Sequence, residues 1–453
     1  MQAVFHFSKN NVNITADSLE WGTKHKVTVP LNEVVAVHPG DPNATTSSGS
    51  VTVHYIKHKS NHKLRCALVT FTGETTVCTE FVKELQEKSS LVSTHPHRLL
   101  VFINPISGNS HGQRIFETKA APLFALAGIE TDTKVTERAN HSRDVLMSYN
   151  LSQVDGVVAV GGDGVYFECV NGLVLRAQKE AGVDENNSEM ELRPTALPLG
   201  IIPAGTGNGV VKSCVGCLDV ETSVLAIILG CRRKYNIMAV FNGGKLLSYS
   251  GLLVAHGIFS DMIDYTESHR KYGKGRYLRS VAKVIWNNNP RILDAEISYL
   301  PDTDHPQVDD AGSRESSDWC TIRGDYTNIT QFGYNIASEI GGQFETSTAS
   351  LPLMTQKFCS RTQGFRFVYR LMKQKNWDDM DFVKMFNVKA VKVRMLSNVA
   401  DSSLEGATAA PPTTNDLTKI LDIDGEVISF DGSEFEIRSH IGVMELYSSL
   451  PYK

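Results

Sequence analysis

Long apolar runs are missing from this chain of 453 residues. The best, Val224–Leu229, has the length of a buried helix core, far short of the ~18 residues a spanning helix needs. The N-terminal stretch MQAVFHFSKN has no secretory pattern. A soluble or peripherally bound cytoplasmic protein is therefore expected. A basic excess is also missing. Lys and Arg number 45 against 50 Asp and Glu, a formal charge of -5, so a nucleic-acid partner is excluded as the default. Cysteine is sparse and scattered: of eight, only Cys214 and Cys217 form a C-x-x-C pair, and nothing completes a zinc site. Free thiols in a reducing compartment are the expectation. No G-x-x-x-x-G-K-[ST] occurs, which excludes a P-loop, and no H-R-D or D-F-G, which excludes a protein kinase. The series Gly205-x-Gly207-x-Gly209 lacks dinucleotide spacing, and no EF-hand spacing or fixed-period repeat is present.

What remains is ordinary globular material, 41% hydrophobic and 21% charged, long enough for two or three domains. Residues 1–95 read as short strands with polar turns, closed by a helix over Thr79–Lys88. SGSVTVHYI (48–56) and KLRCALVTF (63–71) are the clearest strands, and 90–97 reads as a linker. Residues 96–235 change texture. LLVFIN (99–104), GVVAVGGDG (156–164) and LGIIPAGTGN (199–208) each pair an apolar strand with a glycine turn, and helices are predicted over 115–127 and 166–176. Strands alternating with helices mean a parallel sheet. Residues 236–453 return to strand-like stretches separated by turn-rich loops, with one helix at Phe365–Lys375, and read as mostly antiparallel.

The chemistry concentrates in three turns. They are Asn104-Pro105-Ile106-Ser107-Gly108, Gly161-Gly162-Asp163-Gly164 and Gly205-Thr206-Gly207-Asn208. All fall at the C-terminal ends of predicted parallel strands, where open α/β sheets hold ligands. Glycine lets bare amides approach an anion, and a following helix adds its positive end. Three such turns together predict a polyphosphate cradle. A carboxylate among phosphates is costly unless it associates with Mg²⁺ or takes a proton, which singles out Asp163. The plainer alternative for Asp163 is an Asx-turn residue, and for Glu168 a partner of the helix dipole.

These motifs, GGDG-x-x-x-E-x-x-NGL (161–173), NP-x-S-G (104–108) and PAGTGN (203–208), resemble the diacylglycerol kinase and sphingosine kinase superfamily. HRLLVFINP, VTERAN, HGIFSDMIDYTESHRKYGKGRY (256–277) and DIDGEV (422–427) are similar to its ceramide kinase branch. VHYIKH…ALVTF resembles that branch's pleckstrin-homology-like domain. The resemblance implies a membrane-targeting β domain (1–95), a three-layer α/β nucleotide-binding lobe with a parallel sheet (96–235) and an antiparallel β-sandwich lipid-binding lobe (236–453). It implies transfer of phosphate from Mg²⁺-bound ATP to the hydroxyl of ceramide. Sphingosine, diacylglycerol or a catalytically inactive lipid-binding protein are the alternatives. Calcium stimulation is a family expectation only.

Carried onto this sequence, Asp163 or Glu426 would take the proton, with Asp163 also near the metal. Asn104, Pro105, Ser107, Gly108, Gly161, Gly162, Gly164, Glu168, Gly205, Thr206, Gly207, Asn208, Arg276, Asp424 and Gly425 would meet nucleotide. Asp261 and Arg270 would meet the lipid acceptor. The plainer alternatives are a surface turn for Asp424-Gly425-Glu426, a helix start for Asp261 and salt bridges for Arg270 and Arg276. An embedded substrate requires docking, and HYIKHKSNHKLR (54–65) holds Lys57, Lys59, Lys63 and Arg65 with no acid. These four predict a phosphoinositide or anionic-lipid site, against a plain solvated turn. Peripheral attachment to Golgi or plasma membrane is the corresponding expectation.

Overall fold

The computed structural model describes residues 3–8, 11–22, 25–40, 48–107, 111–205, 208–269, 272, 275–287, 291–302, 313–314, 318–333, 349–396 and 419–449. Its first part holds two antiparallel sheets. Four short strands, Ala3–His6, Asn11–Ile14, Ser18–Trp21 and Val27–Pro30, form one. Val34–Pro39, Ser48–His58 and Leu64–Glu74 form the other. The helix Thr75–Val92 closes them, longer than its apolar stripe predicts. Cys78, Phe81 and Leu85 are its buried residues, spaced three and four apart on one face. Phe81 packs edge-on against Phe5, Phe7 and Phe71, so the helix plugs the open end of the sheets.

The second part is a parallel sheet in the order Glu130–Val135, Arg98–Ile103, Gly156–Gly161, Leu199–Pro203. Alternate residues of one strand enter opposite cores. Leu100 and Phe102 pack with the helix Asp163–Glu180 side, while Leu99 and Val101 pack with Phe116, Phe124 and the helix Val220–Leu229. Both faces are covered, which is why these strands read as continuous apolar runs. The outermost strand escaped the sequence reading. Glu130–Val135 reads ETDTKV and is half-exposed along its length, so an edge position leaves no apolar signature. The helix His141–Ser148 escaped it too.

The third part is antiparallel and continuous with the second. Arg232–Asn242 pairs along nearly its whole length with the last strand, Glu434–Tyr447. That last strand then reaches back, pairing Leu446 beside Leu199 in parallel. The chain's final strand therefore finishes inside the α/β sheet, although its sequence falls in the span read as the second lobe. Beyond it run Val383–Met395, Leu351–Gln356, Asn328–Phe332, Leu253–Gly257, Ile420–Ile423 and Glu426–Ser429, in that spatial order. Besides the expected helix, which spans Arg361–Met372, two more lie in this region, Ile258–Ser268 and Gly275–Asn287; the first fits the helix start weighed for Asp261.

Candidate active site

Strands Arg98–Ile103, Gly156–Gly161 and Leu199–Pro203 are adjacent and parallel, so their turns emerge side by side. Backbone bonds join them. The Asn104 amide donates to Val160 O (3.0 Å), and the Ala204 and Gly205 amides donate to Gly161 O (2.8 and 3.0 Å). Gly161 is where the packing leaves no room. A Cβ there would lie 2.5 Å from Val165 Cγ1 and 3.0 Å from Ser107 Oγ. The first turn is closed by Asn104, whose Oδ1 accepts from the Ile106 amide (3.1 Å). The third is closed by Asn208, which donates to Gly205 O (2.9 Å) and accepts from its amide (3.3 Å). Gly108, Thr206 and Gly207 lie outside the described residues, as does Arg270.

Gly162 is the N-cap of helix Asp163–Glu180, so Asp163 is its first residue. The half-buried Asp163 carboxylate accepts from the Gly209 amide (3.1 Å), tying the second turn to the helix that follows the third. Loss of solvent raises its pKa to about 6; the Gly209 bond opposes this and the nearby Asp424 carboxylate adds to it. A carboxyl so poised exchanges a proton near neutrality.

Glu426 comes from the antiparallel third part of the fold. Ile423 pairs with Glu426 across a two-residue turn, Asp424-Gly425, with φ of 57° and 89°. Both positive angles give the type I′ geometry that Asp-Gly favours. The turn is held from below. Asp424 is fully buried and accepts from Ser250 Oγ (2.5 Å) and from the amides of Gly251, Leu252 and Leu253 (2.8, 2.9 and 3.1 Å). It was expected at the nucleotide, but its carboxylate is wholly engaged with this loop. Glu426 is thereby aimed at the helix start, so close that a Cβ on Gly164 would lie 2.7 Å from its Oε1.

A cleft of about 690 Å³ opens here, lined by Asn104 and Pro105, by Gly164 and Glu168, and by Glu426. Sequence reasoning named those five. It assigned no role to Thr136, Arg138, Asn140 and Arg143, which line the same cleft from the segment after the edge strand. Their signal was two arginines within VTERANHSR. It also missed Asn171, which ties helix Asp163–Glu180 to the strand Lys245–Ser250. Its Oδ1 accepts from Ser248 Oγ and the Tyr249 amide (both 2.9 Å), and its Nδ2 donates to Tyr249 O (3.0 Å). A polar residue within the apolar stretch Cys169–Leu175 was the available clue. Glu168 is occupied as a cap, accepting from the amides of Asn140 (2.7 Å) and Ser142 (3.0 Å).

Asp261 lies on the helix Ile258–Ser268, which contacts the strand beginning at Glu426. Burial raises its pKa, opposed by Arg291, whose Nη2 donates to it at 2.8 Å. Arg276 pairs with Glu267 at 3.5 Å and is not among the described residues lining the cleft. At the far hairpin, Lys57, Lys59 and Lys63 are exposed. Arg65 is turned away from them. Its guanidinium forks onto Asp219 (2.6 and 3.1 Å) and reaches Glu221 (3.4 Å), fastening the N-terminal domain to the α/β sheet. Its expected place at the membrane is therefore taken by an interdomain bond.

A family model for the ceramide kinase PH domain matches residues 6–85, and one for the diacylglycerol kinase catalytic domain matches residues 98–240. A ceramide kinase of Homo sapiens is 32% identical over 408 residues, 80% of this chain and 75% of that protein. One from Mus musculus is 31% identical over 80% of this chain and 76% of its own. The crystal structure of a putative diacylglycerol kinase from Bacillus anthracis superposes with a TM-score of 0.51 at 16% identity. It covers 78% of this chain and 97% of that one, a likeness of fold alone.

Proposed function

The chain belongs to the ceramide kinase family, and from that premise we propose that it moves the γ-phosphoryl group of ATP to the primary hydroxyl of ceramide. The products are ceramide 1-phosphate and ADP. The observation that supports this reading most is the cleft that Asn104 and Pro105 of the first turn share with Gly164 of the second and with Glu426, where three parallel strands end side by side.

In this reading the amides at the start of helix Asp163–Glu180 receive the phosphates, and Arg138 and Arg143 offset their charge. We assign the proton of the acceptor hydroxyl to Asp163, whose pKa of about 6 suits a base at neutral pH. Such a base typically contributes roughly 10²–10⁴-fold. Glu426 closes the cleft from the second lobe. Mg²⁺ would arrive on the nucleotide phosphates and meet Asp163 there. That ion would neutralise phosphate charge. Asp261, oriented by Arg291, receives the polar head of the acceptor. Arg276 and Asp424 act by holding neighbouring elements. Calcium stimulation rests on the family likeness alone.

The same reading places the protein peripherally on a membrane, Golgi or plasma. No helix of the described residues is long and apolar enough to cross one, and Lys57, Lys59 and Lys63 offer exposed charge. The test is purified protein with radiolabelled ATP and Mg²⁺, offered ceramide, sphingosine and diacylglycerol in mixed micelles. Label should enter ceramide first, and Asp163→Asn should abolish it. Preferential labelling of another acceptor would overturn the substrate, and near-normal turnover by the variant would overturn the base.

A further inference from the structure

The helix Arg361–Met372 contacts the helix Gly275–Asn287 and carries no part of the site above. Its inner face is conventional. Phe367 is buried edge-on against Trp377 (5.8 Å) and Phe382 (6.1 Å). Its ends are built. Ser360 and Gln363 form a reciprocal capping box, and Arg370 donates to Asn376 O and pairs with Asp379.

The outer face is not conventional. A surface helix normally turns polar residues to solvent. Here Phe365 is 64% exposed and Tyr369, one turn on, is 45% exposed; Phe358, just before the helix, is 52% exposed. Arg361, Arg366 and Lys373 are exposed on the same side by helical spacing. From Lys357 to Lys375 the chain has six Lys or Arg and no Asp or Glu. Lys375 sits over the Tyr369 ring at 5.6 Å.

We propose that this face is a second membrane-docking surface, on the lipid lobe itself, for an anionic bilayer leaflet. Aromatic rings flanked by cations are what an interface-lying helix presents: the rings enter the headgroup boundary while the cations stay with lipid phosphates. The charge is complementary to such a leaflet, where each cation is worth about fivefold in binding. The surface is separate from the Lys57–Lys63 hairpin, so the protein holds the membrane at two points. Two weak contacts on one chain that reach the same surface bind far more tightly than either.

The test uses the full chain and sedimentation with phosphatidylcholine vesicles, with and without phosphatidylserine. Arg361→Glu, Arg366→Glu and Lys373→Glu together should lower retention on the anionic vesicles by about a hundredfold. Phe365→Ser with Tyr369→Ser should lower it by about tenfold. Both sets are repeated with Lys57, Lys59 and Lys63 changed to Glu, so that the hairpin cannot mask the loss. The Phe367 and Trp377 contacts are untouched, so unfolding midpoints should hold. As an independent readout, Tyr369→Trp should be quenched by brominated lipid beyond the chain's own tryptophans. Retention unchanged in the hairpin-reversed background, or absence of that quenching, overturns the proposal and points to a protein segment on this face instead.

Discussion

Replacing Asp163 by Asn should stabilise the folded protein at neutral pH while abolishing transfer. Burial, with help from Asp424, raises the Asp163 pKa from 3.8 to about 6. The folded protein thus holds this proton more tightly than the unfolded chain does. A gap of about two pH units corresponds to about 3 kcal/mol of lost stability above pH ~6, and none below pH ~4. Asn carries no charge, and its Oδ1 still accepts from the Gly209 amide, so the cost vanishes and the bond survives. Local relaxation trims the figure, and a gain of about 1–3 kcal/mol is expected. Urea or thermal unfolding of both proteins at about pH 7.5 and about pH 4.5 checks it. The gain should shrink to about 1 kcal/mol or less at the lower pH. An equal gain at both values, or a loss at the higher one, would refute the account of a desolvated, charge-crowded carboxylate.

Asp424→Ala should cost about 3 kcal/mol or more, because Ser250 and the amides of Gly251, Leu252 and Leu253 lose their common acceptor. Asp424→Asn, which tolerates the positive φ and keeps one acceptor oxygen, should cost less, and chemical unfolding orders the two. Arg65→Gln should weaken the interdomain bond by about 1 kcal/mol, discounted because both partners are partly solvated. Limited proteolysis between residues 93 and 97 should quicken, while retention on anionic vesicles stays as in the parent, since Arg65 faces Asp219 and not the leaflet.

Much of the site was legible because its devices are local. A glycine turn after an apolar strand is written in consecutive residues, and three of them at the ends of buried strands imply neighbours before any contact is known. Asn104, Gly161, Asp163 and Gly205 were reached this way. Glu426 was reached through resemblance, since nothing near DIDGEV says that the hairpin folds over Gly164. What lay hidden was polar and edge-bound. The strand ETDTKV buries too little to show a period, and so the arginine-bearing segment behind it was quoted without a role. Helix Gly275–Asn287 was hidden by the β texture around it, and Ile258–Ser268 showed only as a helix start weighed for Asp261.

Sequence by itself located the three glycine turns and the carboxylate that stands in the second of them, because turn geometry and strand burial follow from neighbouring residues. Tertiary structure alone decided the partners. Asp424 faces inward to a loop and Glu426 outward to the cleft, though they sit two residues apart on one hairpin. Arg65 meets Asp219 across 154 residues of chain instead of joining its neighbouring lysines at the surface. The direction of a side chain depends on which distant backbone offers it a bond, and that is settled only when the sheets have closed.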